Sequence, residues 1–178
     1  MLHPYALLGG LVTLALLTFH GAAFAALKTT GDIRLRCRRY ATVLGLTTAG
    51  PALTFLLWTQ ALNGGAGSLV ALIVTLAALL GSPAVGRAGR DGWAFGLSGT
   101  AVVAAVTMLF LVLFPDVMPS STDPRWSLTA ADASANPYAL KVMTWLALVV
   151  TPVVIAYQAW TYWVFRRRIG TQHIPQPG

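Results

Sequence analysis

Charge is what this chain has least of. Only 10% of its 178 residues are Asp, Glu, Lys or Arg, where a soluble domain carries about 25%. Five acidic residues stand against twelve basic ones, for a net charge of +7. The single cysteine, Cys37, forms no intrachain disulfide and no thiolate cluster for zinc or iron–sulfur. There is no Ser–His–Asp set, no metal-ligand spacing and no phosphate loop, and the isolated Gly64-Gly65-Ala66-Gly67 run is a poor substitute for one. These absences leave a soluble enzyme without support. The basic residues fall between and after apolar blocks rather than on a basic domain, so no phosphate footprint is built and nucleic acid is not an expected partner.

Apolar residues are what the chain does have: 56% hydrophobic, in long blocks rather than in stripes. A membrane span needs roughly 20 apolar residues, and each span must satisfy its own backbone hydrogen bonds. The fold class expected is therefore all-α, a polytopic transmembrane helix bundle. Five spans are read, at about 5–27, 41–62, 68–84, 93–114 and 140–165. The segments of alternating polarity that a β-barrel requires are missing. The whole of 1–178 is read as a single integral membrane domain, with an ordered outer loop at 115–139 and a tail at 166–178. The first apolar block is long for a signal peptide and has no basic leader. The chain begins abruptly, which suggests a truncated or split polypeptide.

Lys and Arg set the orientation. The first connector holds Lys28, Arg34, Arg36, Arg38 and Arg39, the third Arg87 and Arg90, and the tail Arg166, Arg167 and Arg168. The second connector is uncharged. The fourth has Asp116, Asp123 and Asp132 against Arg125. The positive-inside rule then puts the N-terminus outside and the C-terminus in the cytoplasm.

Polar residues within spans are expensive and usually face protein or water. His20 is the deep histidine. A haem ligand, quinone partner or proton relay is one reading, and a histidine hydrogen-bonded to a neighbouring helix is the favoured one. His3 stands at the outer boundary and His173 in the tail, while Met108 and Met143 are unpaired, so a haem-ligating set is not assembled. Thr47, Thr48 and Pro51 predict a kink with hydroxyls on freed carbonyls, and Thr151-Pro152 reads the same way. Gly9, Gly10, Gly21, Gly45, Gly50, Gly96 and Gly99, with Ser98, offer small faces for close helix contact. Gln158 reads as packing glue. Tyr157, Trp160, Tyr162 and Trp163, above three arginines, read as an interfacial belt. Asn136-Pro137 is a helix start, with Pro at the first helical position.

The longest polar break, 114–145, carries the most specific pattern. It holds Phe114-Pro115, then Val117-Met118-Pro119-Ser120-Ser121-Thr122, Trp126-Ser127-Leu128-Thr129, Asp132-Ala133, and Leu140 through Trp145. Pro4 through Gly10, Leu27 through Asp32 with Arg34 and Arg36, Trp93-Ala94-Phe95, and Tyr157 through Trp163 complete it. This set resembles the subunit II family of cytochrome bd ubiquinol oxidases, in its C-terminal half only. The resemblance implies the second half of a subunit of roughly nine helices, present as a fragment, a split subunit or a truncated gene model.

It further implies a non-haem subunit of a quinol:dioxygen oxidoreductase in the aerobic respiratory chain, not catalytic by itself. This subunit would support a haem-bearing subunit I that ligates haem b and haem d. No catalytic, cofactor-binding or metal-binding residue is expected in this chain. The partners expected are subunit I, the N-terminal half of subunit II, membrane lipid and the quinone pool. Half of a small dimeric secondary transporter is the alternative. Pro51 and Pro152 hint at broken helices for it, without the intramembrane charge such a site needs.

Overall fold

The computed structural model describes residues 3–120 and 123–168. Among the described residues, five helices are long and apolar enough to cross a membrane: α1 (Pro4–Lys28), α2 (Gly31–Asn63), α3 (Ala66–Arg87), α4 (Asp91–Leu113) and, after a short irregular stretch, a helix at Pro137–Val164. The fold is all-α and polytopic, as expected. By packing, the chain falls into two compact units, with the boundary near residue 113.

The first unit contains α1 to α4. Pro4 opens α1 where its missing N–H is not needed. The helix ends at Thr29, whose hydroxyl and N–H both donate to the Ala25 carbonyl. Gly31, at φ +64°, turns the chain straight into α2, a left-handed conformation that a side chain would oppose. Gly89, at φ +84°, makes the corresponding turn from α3 into α4. Between α2 and α3 the Gln60 side chain closes the turn: its Nε2 donates to Gly65 O at 3.2 Å, and its Oε1 lies 2.8 Å from Ser68 Oγ.

The span read at 41–62 is only the apolar part of α2, which begins ten residues earlier. The basic run Arg34–Arg39 continues the helix instead of forming a connector. Hydropathy locates the apolar portion of a helix, but charged ends remain helical once they project beyond the hydrocarbon. Cys37 therefore lies within α2, half-buried.

The core of this unit is built from Leu16 and Phe19 of α1, Phe55 and Leu56 of α2, Leu79 of α3, and Ala101 and Met108 of α4. Close packing in lipid needs small residues where backbones meet, and some of the glycines serve this purpose. A Cβ on Gly45 would stand 2.7 Å from Pro83 Cγ and 3.0 Å from Phe19 Cε2; one on Gly9 would stand 2.9 Å from Phe55 Cε2. A Cβ on Gly99 would stand 3.6 Å from His20 Cε1, an ordinary contact. Gly10, Gly21, Gly50 and Gly96 face open space, so only part of the expected small-residue faces is used among the described residues.

Pro51 lies inside α2 without ending it. The nearby hydroxyls bond the carbonyls of their own preceding turns: Thr47 to Val43 and Leu44, and Thr54 to Gly50. They do not take the Thr47 carbonyl that a proline at 51 leaves without its helical donor. Thr48 Oγ1 is buried with no partner among the described residues.

The second unit spans 113–167. In the stretch read as an outer loop, β1 (Asp116–Met118) pairs antiparallel with β2 (Leu128–Thr129), with an irregularity between Asp116 and Met118. A 3-10 turn at Pro124–Trp126 lies between them. The backbone continues the pairing through Ala130 N–H to Pro115 O at 2.9 Å. A one-turn helix, α5 (Ala130–Ala133), follows; Thr129 Oγ1 caps it by accepting from Asp132 N–H. Residues 121 and 122 of the Met118–Thr122 segment lie outside the described residues, as do 169–178 of the tail, including His173.

The final helix, α6 (Pro137–Val164), starts as expected, with Asn136 Oδ1 accepting from Tyr138 N–H and Pro137 at the first position. None of its residues is buried.

Candidate functional site

Chemistry-bearing side chains gather within α1 to α4 at two places. The first is built on Asp91, the opening residue of α4. Its side chain is only 2% exposed. An isolated buried carboxylate would be costly, so it must be paired. Two arginines one helical turn apart on α2 supply the pairing, because i and i+4 share a face. Arg34 takes Oδ2, with Nη2 at 2.6 Å and Nε at 2.8 Å. Arg38 takes Oδ1, with Nη2 at 2.8 Å and Nε at 3.1 Å. Arg168 Nη2 lies 3.6 Å from Oδ2. Forked contacts of this kind fix both orientation and distance. Nearby, Ser82 Oγ of α3 donates to the Ala94 carbonyl of α4 at 2.7 Å. The starts of α2 and α4 thus meet, which puts the first and third connectors at the same end of the unit.

The second place is His20. Its Nδ1 lies 2.8 Å from Ser98 Oγ on α4, and its ring stacks on Phe95 with centroids 4.8 Å apart. Ser98 Oγ also donates to Phe95 O at 2.8 Å, which leaves its lone pairs for an imidazole N–H. His20 therefore has the neighbouring-helix partner that the favoured reading requires. At the opposite end, Tyr5 Oη lies 3.0 Å from Thr59 Oγ1, and the Tyr5 ring packs against Phe55 and Trp58.

Other residues singled out in the sequence are not brought together. Met108 is fully buried in the apolar core, whereas Met143 is 62% exposed on α6. Gln158, Tyr157, Trp160 and Trp163 are exposed, and Arg166 stacks over the Trp163 ring at 4.8 Å. Trp126 is 72% exposed, so the order of its loop comes from backbone pairing and not from burial of that indole. Among the described residues, no group of three or more His, Cys, Asp or Glu could hold a metal ion.

Asp91 is the residue that sequence reasoning missed. It sits between Arg90 and an apolar span, where it passes as part of a connector. The signal was available: a lone carboxylate at a helix start, with Arg34 and Arg38 spaced for one helix face.

Comparison with known proteins decides the family. The model for cytochrome bd terminal oxidase subunit II matches residues 1–165. The chain belongs to that family. Cytochrome bd ubiquinol oxidase subunit 2 of Bacillus subtilis strain 168 is 37% identical over 175 residues, covering 94% of this chain and 51% of the relative. Cytochrome bd-I ubiquinol oxidase subunit 2 of Escherichia coli K12 is 28% identical over 208 residues, covering 98% and 55%. A probable cytochrome oxidase subunit 2 of Haemophilus influenzae is 26% identical over 196 residues, covering 91% and 52%. The chain spans about half the length of the curated relatives it matches. As a subunit II family member with several apolar helices, it is a multi-pass membrane protein of the bacterial type.

Proposed function

We propose that this chain is a non-haem component of a cytochrome bd-type quinol:dioxygen oxidoreductase, acting beside a haem-bearing subunit in aerobic respiration. The observation that carries the proposal is the subunit II match over residues 1–165. In this reading haem b and haem d reside in the partner, and electrons pass from quinol to oxygen there. The contribution of this chain is structural. It supplies a packed helical unit, pinned by Arg34, Arg38 and Asp91 at one end and by Tyr5 and Thr59 at the other. The rest of a full-length subunit II, corresponding to the half of the relatives outside the match, completes the assembly.

The arginine-rich end of α2 faces the cytoplasm, so the N-terminus lies outside. The clustering of Arg34, Arg38 and Arg87 with Asp91 at one end supports this orientation, since it keeps the basic connectors on one side. His20 is a packing residue in this reading, held by Ser98. The test is quinol-dependent oxygen consumption in membranes. The chain alone is inactive, and activity returns when the haem subunit and the remaining half are co-expressed. Oxygen consumption by the purified chain alone would refute the proposal.

A further inference from the structure

Beside the Asp91 ion pairs, α2 and α3 border a shallow, open recess of about 340 Å³, lined by Leu35, Arg38, Arg39, Thr42, Val43 and Arg87. Three arginines line it. Arg38 is engaged by Asp91, but Arg39 and Arg87 have no carboxylate partner among the described residues. Thr42 is unusual in the same sense. Elsewhere in α1 to α4 the threonine hydroxyls, Thr48 apart, donate to a carbonyl of their own helix. Thr42 makes no such bond and has no other partner among the described residues. Among the described residues, the recess therefore combines two cations without a carboxylate partner, one hydroxyl without an acceptor and two aliphatic side chains, Leu35 and Val43, which are 61% and 50% exposed.

We propose that this recess binds the phosphodiester headgroup of an anionic phospholipid. Arg39 and Arg87, arriving from different helices, take the phosphate oxygens, and Thr42 donates a third hydrogen bond. Arg is suited to this task because its fork matches phosphate geometry. Leu35 and Val43 cover the glycerol and the first methylenes of the chains. A soluble anion would leave both in contact with water, and this favours a lipid over free phosphate. The position agrees. The recess lies where the basic start of α2 gives way to its apolar part, which is headgroup depth in a bilayer, and basic pockets between helices at that depth suit anionic lipid. Because Arg38 lines the recess and also holds Asp91, a bound lipid rests against the contact that joins α2 to α4.

The test uses the full chain, purified with whatever subunits accompany it and examined by native mass spectrometry. The probes are phosphatidylglycerol, phosphatidylcholine and sn-glycerol 3-phosphate. Phosphatidylglycerol is expected to be retained in preference to phosphatidylcholine, with no retention of glycerol phosphate. Arg39→Gln with Arg87→Gln should weaken retention about thirtyfold, from roughly 1 kcal/mol per charge. Thr42→Val should weaken it less, and Arg36→Gln, which is outside the recess, should leave it unchanged. Arg36→Gln retains the fold-neutral character of an exposed helix position and controls for diffuse charge. Three results would each overturn the proposal: equal loss on Arg36→Gln, unchanged retention in the double variant, or glycerol phosphate binding as well as the lipid.

Discussion

Arg38 and Asp91, 53 residues apart in sequence, meet through two nitrogens on one carboxylate oxygen, Nη2 at 2.8 Å and Nε at 3.1 Å. With Arg34 on the other oxygen, the pair ties the start of α2 to the start of α4. Removing the carboxylate strands two partly buried arginines. Losing one partner of a fully buried pair costs about 3–5 kcal/mol. Here Arg34 and Arg38 keep 30% and 22% exposure, so water screens part of that cost. Asp91→Asn is expected to destabilise the unit by about 1–3 kcal/mol, read as a lower unfolding midpoint in lipid nanodiscs. In a double-mutant cycle, Arg38→Gln should cost much less in the Asp91→Asn background than alone. Additive costs would mean that the contact contributes nothing.

Close approach at Gly45 makes a second prediction. Its missing Cβ is matched by Pro83 and Phe19 at 2.7 and 3.0 Å, and both are rings within the core. Gly45→Ala should destabilise by about 1–3 kcal/mol through overpacking. Gly21→Ala, where nothing stands within 4 Å, should instead be neutral or stabilising by up to about 1 kcal/mol, through helix propensity alone. Thermal unfolding of the two variants side by side checks the contrast.

A third prediction concerns His20. Interhelical hydrogen bonds in membranes average about 0.6 kcal/mol. His20→Ala should therefore lower stability by about 0.5–1.5 kcal/mol, including the loss of the Phe95 stack, and Ser98→Ala should lower it by slightly less. Neither should change the haem content of the assembled complex. A Soret band in the wild-type complex that disappears with His20→Ala would make His20 a ligand.

How much of this was legible beforehand depended on the kind of signal. The apolar blocks located all five spanning helices, because lipid leaves a backbone few alternatives to the helix. Pro137 after Asn136 marked the start of α6 for a local reason, the first-turn chemistry of helices. The start of α2 was misplaced by ten residues, because Arg34, Arg36, Arg38 and Arg39 read as a connector by polarity although they lie in a continuing helix. The Asp91 site was missed because its partners lie on another helix: the spacing of Arg34 and Arg38 is visible in the sequence, but it does not say which carboxylate they meet. Likewise, chemistry could not tell Gly45 from Gly50. The difference between them is which face of α2 meets Phe19 and Pro83.

Orientation gives a fourth prediction. Cys37 lies in α2 beside Arg36 and Arg38, half-buried and in no disulfide. If this end is cytoplasmic, a membrane-impermeant maleimide should label Cys37 only after the membrane is opened. Labelling in intact cells would reverse the orientation.

The central claim is that the chain works within a haem-bearing oxidase. Its most direct test is affinity purification of the tagged chain from native membranes under mild conditions, followed by a blue-native gel with absorption spectra and peptide sequencing of the band. The expected result is one complex that contains a second, haem-bearing subunit, with b- and d-type absorption carried by that partner. A haem-free homodimer of this chain as its only stable assembly would contradict the account and favour the transporter reading.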